Sequence, residues 1–253
     1  MKETAFTVAT AHGRMPVTAL EPDGKTTKGG IIFYMDAFGI REELFGMCRR
    51  YANAGYAVFI PDLFYRGGTV RFPVPGSAAA KLDPEMGKIN VATTVEMSIA
   101  DTGCLLVHVA AIPRLNINQF CTVGYCMGAR HALGAAATYP DKILAAACLH
   151  GGRMVWEGSN SPHRYIPACK ASLYFAFAAN DETCPDAHKA LIEKTIRESG
   201  ARGVTEHFDA SHGWTFPTRW CYDQASAEHV FQRVVNLFDA EMDGNFFNPG
   251  EAV

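Results

Sequence analysis

The chain has 253 residues, of which 48% are hydrophobic and 19% charged, and its formal net charge is −3. No run of Lys or Arg is available to neutralise a phosphate backbone, which argues against a nucleic-acid binder. The amino terminus lacks an apolar h-region and no stretch is long and apolar enough to span a bilayer, so a cytoplasmic protein without a membrane partner is expected.

Two weak strand signals, at residues 6–9 and 16–20, read as an opening hairpin. Residues 31–35 form the first clear strand, apolar on both faces, as a strand buried between two helix layers must be. Leu44, Cys48 and Tyr51 then share one helical face, and Gly55 is a natural stop. A second buried strand follows at 57–60. Residues 65–84 contain Gly67, Gly68, Pro73, Pro75, Gly76 and Pro84 and read as a long surface loop of the kind that shapes a pocket. Met97, Ala100, Cys104 and Val107 make a helical stripe ahead of a strand at 120–123. An Ala-rich helix, strands at 144–149 and 172–177, and a helix carrying Leu191, Thr195 and Ile196 before Gly200 come next. A strand at 204–208 precedes a last helix with a strong stripe through Ala227, Val230, Phe231, Val234, Val235 and Phe238. This alternation predicts an α/β protein with a mostly parallel, doubly wound sheet flanked by helices, in one domain over residues 1–253.

The chemistry centres on Gly124-Tyr125-Cys126-Met127-Gly128, where a buried strand gives way to the Ala-rich helix. A sharp strand-to-helix turn crowds the backbone around its central residue, so small neighbours are needed on both sides. The turn lifts Cys126 above the sheet edge and sets it at a helix amino terminus, which favours thiolate over thiol. The N–H of Met127 would point at the same spot as an oxyanion donor. A thiol nucleophile needs a base, and the base an orienting acid. Asp181 follows the strand at 172–177, with Glu182 as its rival, and His212 follows the strand at 204–208. The order nucleophile, acid, histidine is that of hydrolases with a glycine-flanked nucleophile. Asp181 and Thr183 could each instead cap the helix that starts near Pro185.

Gly124 to Gly128, Asp181 with Pro185, and Ser211-His212-Gly213 together resemble the dienelactone hydrolase (carboxymethylenebutenolidase) family of α/β-hydrolases. The stretches 35–40 and 55–64 look like the same family, and the similarity runs from about residue 30 to the last helix. The resemblance implies the α/β-hydrolase fold, a Cys126–Asp181–His212 triad, and an oxyanion hole formed by the N–H groups of Met127 and Ala37. It also implies that Asp36 gates the nucleophile, standing where the family typically carries a glutamate that holds the resting cysteine. The family's carboxylate-clamping arginines have no counterpart just after His212 or at residues 83–86, where the chain reads Gly213-Trp214-Thr215-Phe216 and Asp83 to Met86. Trp and Phe cannot replace a bidentate clamp, so a more apolar pocket is expected. Tyr125, His150, Trp214 and Arg219 are candidates for lining it, and Arg71, Arg153 and Arg219 for replacing the clamp.

The reading is therefore a cysteine hydrolase of a small-molecule ester or lactone, needing no cofactor and no metal, in a protein that is a monomer or a homodimer. The eight cysteines are expected to be free thiols, mostly buried small hydrophobes. The rival reading is a non-hydrolytic thiol protein on the same scaffold, redox-sensing or ligand-binding, with Cys121 as resolving partner. Cys121 lies within a strand and should face the core, which speaks against it.

Overall fold

The computed structural model describes residues 1–24 and 27–245. β1 (Lys2–Thr10) and β2 (Gly13–Glu21) form the expected hairpin, and β2 pairs antiparallel with β4 (Ala57–Pro61). From β4 the sheet continues in parallel through β3 (Gly30–Tyr34), β5 (Phe120–Tyr125), β6 (Ile143–Leu149), β7 (Ser172–Asn180) and β8 (Gly203–Ser211). The strand order is β1-β2-β4-β3-β5-β6-β7-β8. Each expected strand is present, with ends that move by at most four residues.

The chain steps from β3 outward to β4 and then crosses back past β3 to β5. Right-handed crossovers therefore put α1 (Glu42–Asn53) on one face and α3 (Val95–Ala110) and α4 (Met127–Thr138) on the other. α5 (Asp186–Ser199) joins the second face by the same rule. α6 (Gln224–Met242) returns to the α1 face, where the rings of Phe231 and Tyr51 meet at 5.0 Å. The reversal opens a crevice at the carboxyl ends of β3 and β5, the place where open α/β sheets take their ligands. Small side chains bring α4 close to the sheet: Ala132, Ala135, Ala136 and the β6 alanines 145, 146 and 147 are all fully buried.

Three helical expectations need correction. Met97, Ala100, Cys104 and Val107 are not the buried face of α3, and Val107 is 73% exposed. The inward face carries Ser98, Asp101 and Thr102 beside Val95 and Leu105. Each polar member is satisfied: Ser98 meets His131 Nδ1 at 2.7 Å, Thr102 meets the Tyr34 hydroxyl at 2.7 Å, and Asp101 takes two bonds from Arg66. A search for apolar periodicity cannot see such a face. On α5, Leu191 is exposed and Ile192 packs inward with Ile196. Finally, the segment at 65–84 runs into a helix that has no apolar stripe to betray it. This is α2 (Pro84–Ala92), capped by Asp83 and burying only Met86. The loop itself packs on the turn after β3. The Phe72 N–H donates to Phe38 O at 3.0 Å, and a side chain on Gly39 would lie 2.5 Å from Val70 O.

Candidate active site

Strand register sets the site. Tyr34 stands opposite Gly124, and Gly124 and Tyr125 stand opposite Cys148 and Leu149. Asp36, Cys126 and His150 therefore emerge side by side from the carboxyl ends of β3, β5 and β6. Further along, Asn180 pairs with Ser211, so Asp181 and His212 leave the sheet together.

Cys126 has φ 55° and ψ −114°, a strained conformation that an ordinary loop would not keep. Its N–H donates to Leu149 O at 3.0 Å, and its carbonyl accepts from Ala129 and Gly152 at 3.3 and 3.2 Å. The flanking glycines are obligatory. A Cβ on Gly124 would stand 2.1 Å from Gly128 O, and one on Gly128 would stand 2.2 Å from Tyr34 O. His150 and Arg153 also have positive φ, at 36° and 53°, so backbone strain collects around Cys126.

His212 Nδ1 lies 2.7 Å from Asp181 Oδ2. Thr183 donates to Asp181 Oδ1 from both its hydroxyl (2.6 Å) and its N–H (2.9 Å), and the same hydroxyl lies 3.2 Å from His212 Nδ1. Asp181 is buried while Glu182 is exposed, so the geometry separates the two carboxylates. Thr183, named from the sequence only as a helix cap, is the third polar group on this pair. The Asx turn it closes is the signal that could have found it.

Cys126 and His212 act on one another, and each changes the other's protonation. Burial pushes the Cys126 thiol up, but the charge and hydrogen bond of His212 outweigh it and leave the thiol below its ordinary value. Burial likewise disfavours the His212 cation, yet the Cys126 thiolate and Asp181 raise it to about 10. The pairing thus favours a thiolate beside an imidazolium over two neutral groups. The expected consequence is measurable by alkylation with iodoacetamide. An ordinary thiol loses roughly fifty-fold in thiolate between pH 8.5 and 6.5, whereas the Cys126 rate should fall far less, dropping only as pH passes down through its lowered pKa. A full fifty-fold fall would mean an unactivated thiol.

The other cysteines behave differently. All eight are free. Burial pushes Cys121 and Cys148 well up, and Cys121 is fully enclosed in β5, out of reach of a resolving role. Among the described residues no group of three His, Cys, Asp or Glu side chains is arranged to hold a metal ion.

The four residues expected to line the pocket are all buried. His150 is fully buried, with Nε2 2.7 Å from the Thr215 hydroxyl and its ring 5.1 Å from that of His212. Burial, with the nearby His212 charge, holds it neutral. Trp214 is fully buried against His150 and Phe208. Tyr125 turns away from Cys126 and meets the Tyr51 hydroxyl at 2.8 Å, beside a cavity of about 290 Å³ between α1 and α6. Tyr125 and Trp214 stand near Cys126 and His212 in the chain and His150 opens a glycine turn, which suggested a pocket wall. In the fold all three side chains are enclosed.

Arg219 is also buried, and it pairs with Asp36. Asp36 Oδ2 accepts from Arg219 Nη2 at 2.7 Å and Arg41 Nη2 at 3.0 Å, while Oδ1 accepts from Arg41 Nη1 at 2.7 Å and the Phe38 N–H at 3.1 Å. Arg41 continues to Glu43, which accepts from the N–H and hydroxyl of Thr218. Asp36 thus ties the turn after β3 to the loop after His212. Its hydrogen bonds run to the two arginines and a backbone N–H. Ala37 lies in the turn after β3, and the Met127 N–H opens α4 directly after Cys126.

The model of the dienelactone hydrolase family matches residues 15–242. The chain belongs to the dienelactone hydrolase family. A provisionally named carboxymethylenebutenolidase of Escherichia coli is 25% identical to this family member over 216 residues, which cover 82% of the chain and 75% of the relative. A solved structure provisionally named as a dienelactone hydrolase, from Klebsiella pneumoniae, superposes with a TM-score of 0.82 at 21% identity, covering 94% of this chain and 98% of that one. A dienelactone hydrolase-like promiscuous phosphotriesterase from metagenomic libraries reaches 0.75 at 20% identity, covering 95% of this chain and 99% of that one. These structures establish the α/β-hydrolase fold for this hydrolase. Among its described residues, no helix is long and apolar enough to cross a membrane.

Proposed function

We propose that this family member hydrolyses small esters or lactones through a thioester on Cys126. The observation that carries the reading is the Cys126–His212–Asp181 line at the sheet edge, with a lowered thiol and a raised imidazole. The thiolate attacks the carbonyl carbon, and the oxyanion takes hydrogen bonds from the N–H groups of Met127 and Ala37, each donor worth roughly 3 kcal/mol of barrier. Collapse breaks the C–O bond, and His212 delivers its proton to the leaving alkoxide. Neutral His212 then takes a proton from water, whose oxygen attacks the thioester. The acid departs and the thiolate–imidazolium pair is restored. Asp181 holds the Nδ1–H throughout. A thiolate leaves more readily than an amide anion, so esters and lactones suit this site better than amides.

The test is mass spectrometry of the protein mixed rapidly with p-nitrophenyl acetate. An acetyl group on Cys126 that forms and decays at the turnover rate supports the proposal, and hydrolysis without such an adduct refutes it. A second result bears on Thr183. Thr183→Val keeps the shape but removes the hydroxyl from Asp181 and His212, and kcat/KM is expected to fall about tenfold. An unchanged value would show that Asp181 orients His212 without help.

A further inference from the structure

His150 leaves the sheet at the end of β6, between the strands that lead to Cys126 and His212, and no step of the proposed reaction uses it. Its backbone is strained, with φ 36°, and its N–H donates to Ala176 O at 2.8 Å. Its side chain is fully buried, with the rings of Tyr125, Trp214, Phe216 and His212 at centroid distances between 5.0 and 5.9 Å. Nε2 meets the Thr215 hydroxyl at 2.7 Å. Strain of this kind persists where the surroundings over-determine it, and burying an imidazole costs more than burying a hydrocarbon of its size. Filling space does not account for either cost.

The bond to Thr215 ties two segments that the sheet does not join. β7 separates β6 from β8, and Thr215 lies on the loop after β8, just beyond His212. The same end of β6 clasps the nucleophile turn: Leu149 O accepts from the Cys126 N–H, and the Gly152 N–H donates to Cys126 O. This segment also meets His212 twice. The His150 ring stands edge to face with it at 5.1 Å and 72°, and a Cβ on Gly152 would lie 3.6 Å from His212 Cε1. The bond from His212 Nδ1 to Asp181 leaves the imidazole free to turn about the line of that bond. Contacts on its flank remove that freedom and hold the ring in the orientation that pairs it with Cys126. The charged groups that act on His150 are His212, Arg219 and Asp181. Asp181 is taken by His212 and Thr183, and the remaining walls are aromatic, so no carboxylate is left to hold a proton on His150. A second cation there would oppose the charge on His212.

We infer that His150 is a positioning residue for His212: anchored on Thr215, its neutral ring props the imidazole in the orientation that serves both Asp181 and Cys126. A phenyl ring could fill the same aromatic box. Only an imidazole combines the ring contact on His212 with a hydrogen bond that reaches across the end of β7. This inference rests on the hydrolytic reading of Cys126 and adds the part of the fold that keeps its base in line.

The test reads kcat and KM for p-nitrophenyl acetate in Thr215→Val, Thr215→Ser and His150→Phe. Thr215→Val keeps the shape and removes the hydroxyl, so kcat should fall about tenfold while KM stays within about twofold. Thr215→Ser keeps the hydroxyl and should hold kcat within about threefold of the parent. His150→Phe should fall as far as Thr215→Val, and the double variant no further than either, since both act through one bond. Should His150→Phe not fold, the two Thr215 variants decide alone. A readout independent of turnover is the pH dependence of Cys126 alkylation by iodoacetamide. In Thr215→Val it should move up toward that of an ordinary thiol, because an imidazole out of line no longer supports the thiolate. A fall in kcat with that profile unmoved, or one that serine does not rescue, is general loosening of the loop and overturns the inference. If the parent cleaves no ester but the profile moves in Thr215→Val and returns in Thr215→Ser, the positioning role stands and the hydrolytic reading fails. If esters are cleaved and neither kcat nor the profile changes in Thr215→Val, the positioning role fails and the hydrolytic reading stands.

Discussion

Replacing Cys126 with alanine is expected to lower kcat/KM for p-nitrophenyl acetate by about 10⁴-fold or more, because the bond-forming atom is gone. What survives should be the modest catalysis left by the oxyanion donors. The same change removes the thiolate that helps hold the proton on His212, so the imidazole should titrate lower than in the parent protein. Cys126→Ser is the stricter comparison. A hydroxyl cannot form an ion pair with His212 at neutral pH, so the variant should lose roughly 10²–10³-fold although triad geometry is kept. Steady-state kinetics and NMR titration of His212 check both statements. Alanine turnover within tenfold of the parent would place the nucleophile elsewhere.

Asp36→Asn is the substitution with the largest expected effect on stability. The carboxylate is fully buried and takes hydrogen bonds from Arg41 and Arg219, and the Arg219 side chain is itself nearly fully buried. Removing one partner of a buried pair leaves the other charges uncompensated, at a cost of about 3–5 kcal/mol. For a chain of this size that corresponds to a Tm lower by roughly 6–20 °C. Urea denaturation should show the loss as a lower midpoint with unchanged slope. A loss under about 1 kcal/mol would mean that solvent reaches the cluster. The charge near the thiol changes as well. Asp36 opposes the Cys126 thiolate and Arg219 supports it, so the folded variant should keep its alkylation rate to lower pH than the parent. That sign separates a charge effect from simple loosening of the site, which would leave the thiol nearer its ordinary value.

Which residues meet at the sheet edge was legible because the chemistry sits where strands end. A buried strand, two glycines and a helix specify the turn at Cys126 wherever they occur in this order, and Asp181 and His212 follow strands just as visible. Polar faces were not legible in the same way. Ser98, Asp101 and Thr102 break the apolar period of α3 yet point inward, since each finds a partner on a distant element. Asp36 shows the same limit from the other side. Its position in the chain matches a gating acid, but its partners Arg41 and Arg219 come from a turn and from a loop 183 residues away.

By itself the sequence determined the fold class, the order of the candidate site residues along the chain and which thiol is the candidate nucleophile, because each rests on local patterns along the chain. Tertiary structure alone decided the surroundings of that thiol. Tyr125, His150 and Trp214, expected on a pocket wall, are enclosed by partners that no local pattern announces, the Tyr51 hydroxyl, the Thr215 hydroxyl and the Phe208 ring. Arg41 and Arg219 lie on a turn and on a distant loop, and only packing brings both to Asp36. Charge acts across space rather than along the chain, so the ion pairs around Asp36 appear only after folding.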